Sequence, residues 1–227
     1  MLYFGVNIKE GPHNKLSREN YAIIDKENTT MEPAYMQRRY SEEEILKFYE
    51  DTDCLLYNDE WCDKHQKDCL ANFDLNMKYM ESLDESEFTA ALEELLKVRK
   101  GTVEIKNLND CKGMSGIYIM VLDKYKQVYI GQSKDIKTRI MRHWSTTKPF
   151  DRLLFGRVET SVLSIDCYGA LDTTRIFIFP TTSLEANESL FVRKMDKRFS
   201  TNRTAGGLLM ENGNAVEIMA NMNKRKL

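Results

Sequence analysis

No stretch of this 227-residue chain approaches the roughly 18 consecutive apolar residues that a membrane span requires. Its start, MLYFGVNIKEG, lacks the basic lead and full apolar region of an export signal, so the expected compartment is the cytoplasm. Cysteine is sparse and odd in number: Cys54, Cys62, Cys69, Cys111 and Cys167 contain no CxxC pair, and reduced thiols follow as the default. Cys54, Cys62, Cys69 and His65 raise the question of zinc, since thiolate and imidazole suit that ion, but core thiols on helices explain them equally. Internal repeats and biased tracts are missing as well, which excludes solenoids and low-complexity chains. With 42% hydrophobic and 30% charged residues, the composition is that of a folded protein.

A net charge of −2 gives no sign of a nucleic-acid partner, yet the charge is unevenly spread. Residues 1–100 carry 13 Lys and Arg against 22 Asp and Glu. The remainder carries 20 against 13. A basic C-terminal half is the half able to meet phosphates.

Pattern divides the chain similarly. LYFGVNI suggests a strand. SEEEILKFYED, opened by Ser41 with an acidic first turn, predicts a helix. WCDKHQKDCLANFDLNMKYMESL and, after DESE, FTAALEELLKVRK predict two more. Residues 1–100 thus read as a mainly helical acidic region. KGT at 100–102 marks a break. GIYIMVL and QVYIGQ then read as strands around the turn DKYK, followed by a helix from Ser133 through Trp144. Residues 150–172 are ambiguous; TRIFIFP is a short strand, and TSLEANESLFVRKMDKRF a helix with Thr182 and Glu185 at capping-box spacing. This order predicts a small α+β domain over 101–210, with a basic tail over 211–227.

The hairpin makes a testable statement. A four-residue DKYK loop pairs Leu122 with Gln127 and places Tyr118 opposite Gly131. Tyr129 then shares a face with Tyr118 as its diagonal neighbour, about 7–8 Å away between α-carbons. A one-residue slip would separate them. On the next helix Ile136, Ile140 and Trp144 form an apolar stripe, with Arg139 and His143 along its edge. Arginine suits phosphate because its planar fork donates two parallel hydrogen bonds. On the last helix Glu188 falls among Leu184, Phe191, Val192 and Met195, where a carboxylate needs a partner such as a cation.

Gly116-Ile117-Tyr118, Tyr129-Ile130-Gly131, the downstream Arg139 and the helical Glu188 resemble the GIY-YIG nuclease family over roughly residues 113–204. The resemblance implies a small three-stranded antiparallel sheet flanked by helices, here preceded by the mainly helical N-terminal region. It implies a metal-dependent endonuclease acting on DNA, double-stranded by expectation, of restriction-like or mobile-element type. Glu188 would hold one Mg²⁺ or Mn²⁺, Tyr118 would activate the attacking water, Tyr129 would orient it, and Arg139 would stabilise the phosphate. Lys134 takes the place of a basic residue near that phosphate. His143 resembles the arrangement in the family's restriction enzymes. The family's asparagine after the last helix falls to Asn202, a couple of residues late, with substrate binding as its implied role. A phenol of ordinary pKa near 10 is a poor base at neutral pH, so Tyr118 needs help from Lys134, Arg139 or His143. A repair or structure-specific nuclease is the alternative within the class, and a catalytically silent nucleic-acid-binding module the alternative outside it. Cutting two strands with one site per chain allows for a homodimer.

Overall fold

Alternate residues of one central strand point into two separate apolar layers, and the rest of the fold is arranged around that strand. The computed structural model describes residues 1–27 and 33–203. The basic tail expected over 211–227 lies outside the described residues. The fold is α+β, with six α-helices among the described residues and two small antiparallel sheets.

The first sheet is a hairpin, β1 (Leu2–Tyr3) and β2 (Val6–Asn7), whose turn residues Phe4 and Gly5 both take positive φ, 43° and 70°. The second has four strands, β3 (Val103–Ile105), β4 (Gly116–Leu122), β5 (Gln127–Ser133) and β6 (Arg175–Pro180), in the order β3-β6-β4-β5. The three strands expected from sequence are β4, β5 and β6. The fourth, β3, adds an edge and was hidden because VEI is too short to show an alternating pattern. The register of β4 with β5 is the one the loop length dictates, Leu122 opposite Gln127 and Tyr118 opposite Gly131.

The helices are α1 (Pro33–Arg39), α2 (Glu42–Leu46), α3 (Asp59–Ser82), α4 (Glu85–Leu96), α5 (Ile136–Ser145) and α6 (Leu184–Lys194). Ser41 caps α2, as its sequence predicts, and completes a capping box with Glu44. Two other caps differ from expectation. Asp135, not Ser133, caps α5 by accepting from the Thr138 amide, because Ser133 is still the last residue of β5. The N-cap of α6 is Ser183, with no side-chain cap bond, so the Thr182–Glu185 box does not form. Burial holds α6 instead: Phe191, Val192 and Met195 are all sunk in the core, each worth about 1.5–3 kcal/mol when fully covered.

One apolar layer joins Ile117, Ile119 and Val121 of β4 to Phe88, Leu92 and Leu95 of α4 and to the buried residues of α6. The other joins Tyr118, Met120 and Leu122 to Ile136, Ile140 and Trp144 of α5 and to Phe73 and Met80 of α3. Residues before and after position 100 therefore share both cores. Gly101, at φ 94°, turns the chain from α4 into β3. The hairpin β1–β2 covers the end of α5: Tyr3 and Phe4 each lie 6.2 Å from Trp144 between ring centroids, and Tyr3 donates to the Thr173 carbonyl at 2.6 Å.

The ambiguous stretch 150–172 forms only short 3₁₀ turns, Phe150–Arg152, Ile165–Cys167 and Ala170–Asp172. Side chains from elsewhere hold it. On α3, Asn72 donates to the Val158 and Ser161 carbonyls at 2.6 and 2.8 Å, and Asn76 to Ser161 at 2.9 Å. Arg203 donates to the Val162, Arg152 and Leu153 carbonyls. No helix among the described residues is long and apolar enough to cross a membrane.

Candidate active site

The glycines of the two tripeptides have steric reasons to be there. A Cβ on Gly131 would sit 2.3 Å from the Tyr118 hydroxyl and 2.4 Å from its Cζ, so the phenol lies directly over a residue that must lack a side chain. A Cβ on Gly116 would meet the Phe179 carbonyl oxygen at 2.4 Å, where β6 approaches β4. Both conflicts fall well inside the 3.4–4 Å of ordinary contact.

Tyr118 and Tyr129 share the α5 side of the sheet, with ring centroids 6.2 Å apart. Their exposures differ: Tyr118 is 0% exposed, whereas Tyr129 is half-buried at the mouth of the site. Arg139, one turn into α5, reaches toward the Tyr118 hydroxyl, and its charge acts on both phenols. The charge of Glu188, projecting from α6, is felt by both phenols too. Glu188 is half-buried, not sunk in the core as its place on the helical wheel predicts; its neighbours Asn187 and Ser189 are the buried polar residues of α6. β4, β5, α5 and α6 thus each contribute one of the four groups that the sequence pattern brings together.

Electrostatics follow from this packing. Burial pushes the Tyr118 phenol well above its ordinary pKa, Tyr129 and Glu188 add to the rise, and the hydrogen bond and charge of Arg139 oppose it. Burial also raises Tyr129, to about 12, against the pull of Arg139 and with Glu188 and Asp166 contributing. Neither phenol is poised to ionise at neutral pH.

His143 lies deeper than the border position expected of it, at 3% exposure. Its Nε2 is 2.8 Å from the Tyr118 hydroxyl, and its Nδ1 is 2.7 Å from Oδ1 of Asp166. Asp166 is the residue that sequence reasoning missed. It sits in the Ile165–Cys167 turn, with Lys148 at 3.8 Å from its other oxygen, and nothing in local spacing ties it to His143. Burial raises its carboxyl, but the hydrogen bond from His143 and the charges of Lys148 and Arg139 outweigh that and hold it below the usual carboxylate range.

Two expected site residues stand apart. Lys134 is exposed in the turn between β5 and α5. Asn202 lies along the outer edge of β5, where its amide accepts from the Ile130 N–H at 3.0 Å and donates to the Ile130 carbonyl at 2.7 Å. With the Thr201 amide bonded to Val128, this segment closes the edge strand.

No family model, curated protein or solved structure matches the chain.

The set Cys54, Cys62, His65 and Cys69 is not brought together. Cys69 Sγ lies 3.4 Å from His65 Nε2, but that nitrogen is 2.8 Å from the Phe150 carbonyl and the ring stacks on Trp61. Among the described residues no three His, Cys, Asp or Glu side chains converge as metal ligands. A single half-buried carboxylate such as Glu188 fits a different mode: Mg²⁺ keeps several waters and binds through one or two carboxylates plus substrate phosphates.

Proposed function

We propose that this site belongs to a metal-dependent endonuclease that hydrolyses phosphodiester bonds in DNA, of restriction-like or mobile-element type. The observation that carries the reading is that two phenols, a guanidinium and a carboxylate from β4, β5, α5 and α6 lie close enough to act on one another's charge. The antiparallel order β6-β4-β5 with α5 and α6 supports this reading, in a sheet that has a fourth strand, β3.

Hydrolysis needs a positioned phosphate, removal of a proton from water, and stabilisation of charge on the phosphoryl oxygens. Arg139 binds the phosphate through its fork, and Lys134, exposed in the turn before α5, adds positive charge on the surface that would meet DNA. Glu188 would hold Mg²⁺ or Mn²⁺, which when bound supplies Lewis-acid polarisation of a phosphoryl oxygen. Tyr129 faces the mouth and orients the water. Tyr118 is closed to solvent, and its hydroxyl lies within hydrogen-bonding and charge range of Arg139, the residue that would hold the phosphate. Asn202 takes no part, since both ends of its amide are committed to Ile130.

The closed Tyr118 also favours a second reading, a nucleic-acid-binding module without catalysis. Nicking of supercoiled plasmid in Mg²⁺, in Mn²⁺ and in EDTA, run beside Glu188→Ala and Tyr118→Phe, separates the two. The nuclease reading expects nicking that EDTA and Glu188→Ala abolish, with DNA binding retained in Tyr118→Phe. Binding without nicking in either metal would establish the module instead. Preference for flaps or junctions over plain duplex would move the assignment to a repair or structure-specific nuclease. Linearisation that rises steeply with protein concentration is the signature of two chains acting together.

A further inference from the structure

We propose that Asp166 is a positioning residue that fixes His143 in the Nδ1–H tautomer, so that Nε2 is free to take the proton of the Tyr118 hydroxyl. The role of Tyr118 in hydrolysis rests on the nuclease reading above; the tautomer does not.

The argument is one of donors and acceptors. An ionised carboxylate can only accept hydrogen bonds, and Asp166 is held ionised by its surroundings. At 2.7 Å from Asp166, Nδ1 must therefore carry the hydrogen. In a neutral imidazole the other nitrogen is then an acceptor, so across the 2.8 Å contact the phenol donates and Nε2 accepts. The Tyr118 oxygen then keeps its lone pairs to accept from other donors, Arg139 among them. The Asp166 side is equally fixed: its second oxygen faces Lys148 at 3.8 Å and the Ser164 hydroxyl at 3.4 Å, so the carboxylate is oriented by groups outside the reacting set. The charged and titratable groups around the imidazole are Tyr118, Tyr129, Arg139, Lys148 and Asp166.

This arrangement answers the difficulty posed by a phenol whose burial disfavours its anion. As the water oxygen bonds to phosphorus, its proton passes to the Tyr118 oxygen while the phenol's own proton moves to Nε2. No free phenolate forms. The bond to the leaving oxygen breaks and that oxygen takes a proton from solvent. The imidazolium, beside the Asp166 carboxylate, returns its proton to solvent before the next cycle. Such an orienting carboxylate also prevents the imidazole from flipping to the tautomer that would donate to Tyr118 and block the transfer.

The test has a readout that needs no cleavage. The chain has three histidines, so ¹⁵N–¹H multiple-bond spectra of ¹⁵N-histidine-labelled full-length protein, with His143→Gln for assignment, read the tautomer directly. The wild type is expected to show His143 protonated at Nδ1. Asp166→Asn, whose amide can donate to Nδ1, is expected to reverse the tautomer and lower kcat ~10²-fold or more with KM unchanged, and Asp166→Glu to restore most of both. A wild-type spectrum with the hydrogen on Nε2 would overturn the proposal whether or not any variant folds. So would an unchanged tautomer in a folded Asp166→Asn protein, or a reversed tautomer with unchanged cleavage. A wild type that shows the Nδ1–H tautomer and cuts no DNA would end the nuclease reading alone.

Discussion

Replacing Gly131 with alanine tests the placement of Tyr118 independently of any activity. The new methyl would sit 2.3 Å from the hydroxyl oxygen, so one of them must move by more than an ångström to regain ordinary contact. Tyr118 has nowhere to go: it is 0% exposed, with His143 against its hydroxyl and Tyr129 beside its ring. Overpacking of this kind costs about 1–3 kcal/mol, while the alanine recovers about 0.4–1 kcal/mol by restricting the unfolded chain. The clash wins, leaving a net loss of about 1–2 kcal/mol and, for a chain of this size, a Tm lower by ~2–8 °C. Thermal or urea unfolding of Gly131→Ala, Tyr118→Leu and the double variant closes a mutant cycle. With the phenol gone the methyl meets no obstacle, so the two changes should be strongly non-additive, with a coupling of about 1–2 kcal/mol. In the nicking assay Gly131→Ala, by pushing the hydroxyl off His143, should cut ~10²-fold more slowly. Additive stabilities, or a Gly131→Ala protein as stable as wild type, would refute the packing of Tyr118 over Gly131.

Two further outcomes follow from the same geometry. Asn202→Ala removes both bonds to Ile130 and should destabilise by about 1–3 kcal/mol, with faster amide exchange at Ile130; a weaker KM with unchanged stability and exchange would instead make Asn202 a substrate ligand. Stability should also fall in alkali. Burial raises Tyr21, Tyr57, Tyr118 and Tyr125, and raises Tyr129 to about 12, above the unfolded value near 10. The folded state then holds protons that the unfolded chain releases, so this contribution is complete below pH ~10 and is lost at up to about 1.4 kcal/mol per pH unit per tyrosine above it. Urea midpoints at pH 9 and pH 11 measure this, and equal midpoints would refute it.

The parts of the fold that could be read from sequence are those where one local rule decides. Loop length and alternation set the β4–β5 register, and a one-residue slip would put Tyr118 and Tyr129 on opposite faces. The stripe Ile136, Ile140 and Trp144 was equally plain, and all three are buried. Where two polar residues compete for a cap, geometry outside the helix chose: β5 consumed Ser133, and the last turn before α6 left Ser183, not Thr182, at the boundary. The stretch 150–172 gave no pattern because its order comes from Asn72, Asn76 and Arg203 bonding to its carbonyls, partners remote in sequence. Asp166 stands in that stretch, so its meeting with His143 had no local signal.

This division also bears on which residues of the pattern serve folding and which serve chemistry. Gly116 is required by the backbone approach of β6, whereas Gly131 is required only while the Tyr118 phenol lies over it. The isoleucines at 117 and 130 fill the opposite layer. Packing does not require a phenol at 118, a histidine at 143 or an aspartate at 166. In the layer beside Ile136, Ile140 and Met120, phenylalanine and leucine would fill the space without removing polar groups from water. A buried polar chain is tolerated only if every member finds a partner, and offers little stability over an apolar core even then. Here the Tyr118–His143 and His143–Asp166 contacts are 2.8 and 2.7 Å, and the chain runs from a sealed hydroxyl to a carboxylate beside Lys148. Folding alone does not account for that choice of residues, which is the choice that the proposed proton transfer between a phenol and an oriented imidazole requires.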